Sequence, residues 1–189
     1  MVAFSEPTKL PGSVSEINPG AGLVVRNSND GVAQALAGTT RTQIAGTQLL
    51  VPASGLKVGA RIRFVLSVVK TAAGTASAVF DIAFGTTGLV ADTARVSFTK
   101  TAGTAAVDAG KIVIEAVVRS VGSSGIVVGS FQLTHDLAVT GLTVLPNTKV
   151  VVSSGFDNDG QELFISLNAT LGASDAYTFD LVEASLSGV

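Results

Sequence analysis

From residue 60 onward, apolar and polar residues alternate with a period of two. Ile62, Phe64, Leu66 and Val68 share one side of a segment whose other side carries Arg61, Arg63 and Ser67. The same alternation places Phe80, Ile82 and Phe84 opposite Asp81, and Ala94, Val96 and Phe98 opposite Arg95, Ser97 and Thr99. It continues with Ile112, Ile114, Ala116 and Val118 against Glu115 and Arg119, and with Leu163, Ile165, Leu167 and Ala169 against Phe164, Ser166 and Asn168. Near the end, Tyr177, Phe179 and Leu181 alternate with Thr178 and Asp180. Successive side chains of a strand point to opposite faces, so each run predicts a strand with one covered face, as antiparallel sheets have.

Turn chemistry falls between the runs: Ala73-Gly74, Gly85 to Gly88, Gly122 to Gly125, Asp157 to Gly160 and Leu171-Gly172. Glycine supplies positive φ, and Asn and Asp tolerate it, which hairpin turns require. With Thr47 to Val51, Ile126 to Thr134 and Lys149 to Ser153 added, the chain predicts eight or nine strands. No segment shows a 3.6-residue apolar stripe with caps. Short strands between Gly-rich turns predict an all-β chain folded as an antiparallel two-sheet sandwich, jelly-roll-like in kind.

The first 46 residues break this pattern. Pro7, Pro11, Gly12, Pro19, Gly20 and Gly22 interrupt any long element, although Leu23 to Val25 and Gly31 to Leu36 each fit a short strand. The reading is therefore an extended N-terminal arm over 1–46, for attachment or assembly, followed by a sandwich domain over 47–189. Deleting the arm is expected to leave a folded domain.

Composition narrows what the sandwich can do. Of 189 residues, 47% are hydrophobic and 14% charged, with a formal net charge of −2 and a mean hydropathy of +0.53. Soluble domains carry about 25% charged residues, so this chain has little more than half the usual share. Disorder needs the opposite balance, and a nucleic-acid partner needs a Lys/Arg surplus that is absent. No apolar run approaches the roughly 20 residues of a membrane-spanning helix, and Met1 to Leu10 has no apolar signal-peptide core. A soluble chain without membrane contact is expected. No cysteine is present, which removes disulfides, thiol catalysis and Cys-based zinc sites.

The search for chemistry yields weak candidates only. His135 is the one histidine and is followed by Asp136. No Gly-x-Ser-x-Gly elbow presents a serine to it, so a hydrogen-bonded structural histidine is expected. One histidine also cannot furnish the several ligands of a cupin-like metal site. Asp157-Asn158-Asp159-Gly160 with Glu162 is the densest oxygen cluster, but its glycine is fourth, where a calcium loop of the EF-hand type places it sixth. A turn accounts for the same residues. Gly20-Ala21-Gly22 and Gly110-Lys111 are incomplete phosphate cradles. Asn168-Ala169-Thr170 matches a glycosylation sequon yet lies in a strand pattern, and Arg61 and Arg63 read as a solvated face. Sugar stacking has no Trp and a single Tyr to draw on. No catalytic residue, cofactor or metal is expected.

What remains is the apolar surplus. Soluble monomers seldom expose large apolar patches, and low net charge favours association. Val65 and Val69 lie behind the Phe64 face, and Val113 and Val117 behind Ile112. These positions are expected against a second copy, because interfaces between permanent partners are apolar and poor in charge at their centres. Closed symmetry is the usual outcome, and a homotrimer is the preferred arrangement.

The stretch Val68-Val69-Lys70-Thr71-Ala72-Ala73-Gly74-Thr75-Ala76, followed by Phe80-Asp81-Ile82-Ala83-Phe84-Gly85-Thr86, resembles the β-rich structural modules of tailed-bacteriophage virions. So do Val117 to Gly122 and Gly129 to His135. Such Ala/Thr/Gly-laced hairpins occur in capsid decoration (cement) proteins, head fibres and tail-fibre modules. The likeness runs from about Val58 to the C-terminus and contains no catalytic motif, so no functional residue is carried over. It implies a jelly-roll-like domain, usually trimeric, located on a virion. The partner would be the major capsid protein or another virion protein held through the N-terminal arm. A decoration protein that stabilises the shell is the leading expectation. A tail or fibre module that meets the host surface is the alternative, and an enzyme on the same scaffold stands well behind both.

Overall fold

A computed structural model of the chain describes residues 13–18, 22–137, 140–143, 147–159 and 163–189. Thirteen strands and no helix occur among them, in the order β1 (Ser13–Asn18), β2 (Gly22–Ser28), β3 (Gln34–Ala37), β4 (Thr42–Gln43), β5 (Leu49–Leu50), β6 (Arg61–Lys70) and β7 (Ala78–Gly85). There follow β8 (Thr93–Lys100), β9 (Asp108–Ser120), β10 (Ile126–His135), β11 (Asn147–Val152), β12 (Phe164–Thr170) and β13 (Ala176–Ser187). No helix among the described residues is long and apolar enough to cross a membrane.

The strands form two antiparallel sheets. One has eight strands, in the order β1-β2-β13-β6-β9-β10-β11, with β3 pairing β13 beside β2. The other has five, in the order β4-β12-β7-β8, with β5 also pairing β12. The core lies between them and is built from the alternating positions read in the sequence. Ile62, Phe64, Leu66 and Val68 of β6 and Ile112, Ile114, Ala116 and Val118 of β9 are all buried, as are Phe80, Ile82 and Phe84 of β7. Phe80 and Phe98 of the smaller sheet meet Phe131 of the larger, with ring centroids 5.6 and 5.8 Å apart, and Phe179 stands edge-on to Phe80. Large aromatic side chains from both sheets thus interlock at the centre.

Two bulges shift the expected phase. The β13–β6 register slips between Phe179 and Leu181, so Val182, Ala184 and Leu186 enter the core while Leu181 is left 48% exposed. One extra residue in a strand moves every later side chain to the other face. A second slip in the β7–β8 register, between Ile82 and Ala83, leaves Ala94 exposed and turns the Arg95 guanidinium over the Phe156 ring at 4.8 Å. The other departure concerns the polar side of β12: Ser166 and Asn168 are as buried as their apolar neighbours.

The arm expected over 1–46 is revised from residue 24 onward, and residues 1–12 lie outside the described residues. β2 and β3 pair with β13, and β4 pairs with β12. Val25, Leu36 and Ile44 belong to the core. Proline and glycine here bound short strands instead of preventing them. A charged anchor fixes the segment: Arg41 spans the outer face of the smaller sheet and holds Asp81 through two bonds, Nε to Oδ2 at 3.0 Å and Nη2 to Oδ1 at 2.5 Å. Its remaining nitrogen donates to the carbonyls of Val90 and Asp92. Asp81 is 3% exposed, and Asn168 donates to it as well, at 3.2 Å.

Candidate functional site

At one end of the sandwich, the polar residues that close several apolar alternations converge. Lys70 is the last residue of β6, Lys100 of β8 and His135 of β10, while Asp108 opens β9 and Asn147 opens β11. Asp175 precedes β13, and Tyr177 lies in it. The strand register places Lys70 directly between Tyr177 and Asp108. The strand residues keep the inward phase: Lys70, Lys100 and Tyr177 are 1% exposed and Asp175 is 2%, while His135 is half-buried.

Two stretches cover this cluster, residues 101–107 after β8 and residues 140–143 between β10 and β11. Lys70 Nζ donates to the Thr104 and Ala106 carbonyls. Lys100 Nζ donates to those of Thr101, at 2.7 Å, and Leu142, at 2.5 Å, and stands 6.0 Å from the Tyr177 ring centroid. The loops are also laced to each other. Thr104 N donates to Gly141 O and Gly141 N returns a bond to Thr104 Oγ1, at 2.9 and 2.8 Å. Hydroxyl pairs join Thr104 to Thr140 and Thr101 to Thr143. The backbones are so close that a side chain at Gly103 would meet Gly141 O at 2.1 Å.

The electrostatics follow from burial. Desolvation pulls the Lys100 ammonium down to about 8, with Asp175 opposing and Lys70 adding to the shift. Burial pushes the Asp175 carboxyl up against the pull of the two lysines, and it pushes the Tyr177 hydroxyl up, helped by Asp175. Burial also opposes ionisation of Asp108, but the Leu142 and Leu137 amides and His135 outweigh it and hold that carboxyl below its usual range. Among the described residues, the Tyr177 hydroxyl and Asn147 Oδ1 are buried without a hydrogen-bond partner.

His135 takes the structural place expected for it. Its Nδ1 lies 2.6 Å from Asp108 Oδ2, and Asp136, its neighbour in sequence, is not the partner. No serine hydroxyl is bonded to His135 among the described residues. Of Asp157 to Asp159, the described part of the expected turn, the inward residue is Asn158, which accepts from Gly122 N at 2.9 Å and donates to Ser120 O at 3.0 Å. Asp157 and Asp159 are exposed, and Gly160 to Glu162 lie outside the described residues. Among the described residues no three His, Asp or Glu side chains gather as metal ligands would. Of the two glycine motifs, 20–21 are not described, and Gly110 lies where a side chain would strike Thr134 O at 2.5 Å, a close strand approach. Asn168 of the sequon is fully buried. Arg63 pairs with Glu115 at 3.0 Å on the solvated face.

The lysine cluster was missed in the sequence, and one more step of the alternation finds it. Lys70 follows Leu66 and Val68, Lys100 follows Val96 and Phe98, and His135 follows Phe131 and Leu133, all in the inward phase.

No family model matches the chain, and no curated protein matches it. Among solved structures it is similar to a lectin from Bauhinia forficata in complex with GalNAc. That likeness has 13% identity and covers 88% of this chain and 100% of the other at a TM-score of 0.33. It is also similar to the CBM2 module of the evolved Dit of Lactobacillus casei BL23 phage J-1, with 12% identity, 88% and 75% coverage and a TM-score of 0.18. At these scores neither likeness assigns a function, and the sandwich rests on the chain's own strands.

Proposed function

We propose that this chain is a non-enzymatic structural protein of a tailed-bacteriophage virion, a capsid decoration protein that works as an assembly of identical copies. The observation that carries the reading is the outer face of the eight-stranded sheet. Val152, Val128 and Val117 stand side by side across β11, β10 and β9, at 54% exposure for Val152 and 37% for Val117. Val150 is 68% exposed beside them; in the row beyond Glu115 and Arg63, Val113 is partly exposed and its partner Val65 is buried at 7%. Aligned β-branched residues on an open sheet face suit burial against protein. A second copy is the occupant we assign, with three copies as the preferred closed arrangement. Residues 24–46 are committed to the sheets, so attachment to the major capsid protein is assigned to the chain ahead of residue 13.

Light scattering on the purified chain, with a Val150→Asp/Val152→Asp variant, tests the assembly. The native chain is expected to run as an oligomer and the variant as a folded monomer. Both positions are exposed, and such substitutions change stability by about 0.5 kcal/mol or less. A native chain that stays monomeric at high concentration overturns the reading. Co-sedimentation with undecorated capsids tests the location: binding that is lost on deleting residues 1–12 supports it. Binding to host cells without capsid binding would move the protein to the tail or fibre.

A further inference from the structure

A cleft of about 360 Å³ opens between the end of β2 with its turn and the stretch that runs from β4 to β5. Its backbone is fixed on both sides. Asp30 and Gly31 turn the chain at φ of 51° and 75°, and Val32 N closes the turn on Asn29 O at 2.9 Å. The two walls join at Gly46, whose φ is 79° and where a side chain would meet Asn29 N at 2.3 Å. The lining side chains are mostly carboxamides, with one carboxylate. Gln43 and Gln48 both donate Nε2 to Gly88 O, at 2.6 and 3.1 Å. That orients both amides, and among the described residues no bond engages either Oε1. Asp30 accepts from Ser28 Oγ through Oδ1, at 2.9 Å, and keeps Oδ2 over. Asn27 is braced by the bond from its Nδ2 to Gln48 O at 2.7 Å.

The lining decides what fits. No lysine or arginine is there to receive an anion, and among the described residues no three acidic or histidine side chains gather for a metal ion. A surplus of preset oxygen acceptors suits a ligand dense in hydroxyl donors, and the volume admits a small ring. We propose that the cleft is a saccharide site, taking a neutral pyranose whose hydroxyls donate to Gln43 Oε1, Gln48 Oε1 and the Asp30 carboxylate. The bond to Asp30 is charge-assisted and the strongest of the three. No aromatic ring lines the cleft, so hydrogen bonds carry the affinity. For a ligand of about a dozen heavy atoms that gives a Kd of roughly 1–10 mM. β13 and β6 separate β2 from β9, so the cleft stands clear of the valine rows and does not depend on the assembly proposed above. Weak sites of this kind gain avidity where copies repeat them.

NMR titration of the full chain with glucose, galactose and N-acetylglucosamine, and with glycerol as the control polyol, tests the proposal. At least one of the three sugars is expected to shift the side-chain amides of Asn27, Gln43 and Gln48 saturably, and glycerol is not. Asp30→Asn keeps a residue that tolerates the turn and removes the charged acceptor, so the Kd should rise about fivefold. Gln43→Met/Gln48→Met removes both amide acceptors and should abolish saturation. No saturable shift with any of the three sugars overturns the site, as do equal shifts with glycerol or binding that either variant leaves unchanged. If the methionine variant unfolds, Asp30→Asn at its exposed position decides alone, and an unchanged Kd overturns the proposal.

Discussion

Arg41 is the side chain through which the integration of residues 24–46 is most sharply tested. Its guanidinium meets both oxygens of Asp81, and the pair is 28% and 4% exposed at the side chains. Arg41→Met keeps the aliphatic stem and removes the charge, leaving Asp81 buried with only the Asn168 amide. Removing one partner of a buried pair costs about 3–5 kcal/mol. The partial exposure of Arg41 and the surviving Asn168 bond place this case near the lower end, about 3 kcal/mol. For a chain of this length that lowers Tm by roughly 6–12 °C. Thermal unfolding and urea titration, followed by circular dichroism, measure the loss. The companion variant Asp81→Asn in the Arg41→Met background removes the stranded charge and should recover more than about 1 kcal/mol, the signature of coupled residues. A loss below about 1 kcal/mol, or a double variant no more stable than the single, refutes the view that this segment is part of the sandwich.

Deleting residues 1–46 removes Val25, Leu36 and Ile44 from the core together with Arg41. At about 1.5–3 kcal/mol for each apolar side chain, the loss rivals the whole stability of a domain. The remainder should show no cooperative unfolding, and a folded 47–189 fragment would contradict the strand pairing. Gly103→Ala forces a side chain against Gly141 O. It should cost about 1–3 kcal/mol by overpacking and raise hydrogen exchange in residues 101–107 and 140–143, while an unchanged Tm would show that the two stretches are not in contact.

Much of the fold was legible because its signal is local. Period-two runs such as Ile62 to Val68 and Ile112 to Val118 announce both strand and buried face. Legibility failed where a neighbour sets the outcome. The bulge at Asp180 depends on how β13 meets β6, so Leu181 reads as core and is exposed. Ser166 and Asn168 read as a solvated face, but Arg41 and its loop lie over that side of the smaller sheet. The arm was misread because β2 to β4 are short and take their stability from β13 and β12, at the far end of the chain. At the lysine cluster, the phase of Lys70 and Lys100 is visible in the sequence, but their meeting depends on the two sheets being stacked. Of the residues expected on an open second face, Val117 is exposed, whereas Val65 is buried at 7%.

The central place of β13 bears on how the protein comes to exist. This strand lies between β6 on one side and β2 with β3 on the other, and it follows the other twelve strands in the chain. Until it emerges, the eight-stranded sheet is two separate pieces with facing unpaired edges, and its closing contacts span almost the entire chain. Topologies dominated by such distant pairings fold slowly, and unpaired edges invite pairing between chains. The sandwich can therefore close only after β13 has been made. Under the proposed self-assembly, that delay would keep copies from associating before the sheet is whole.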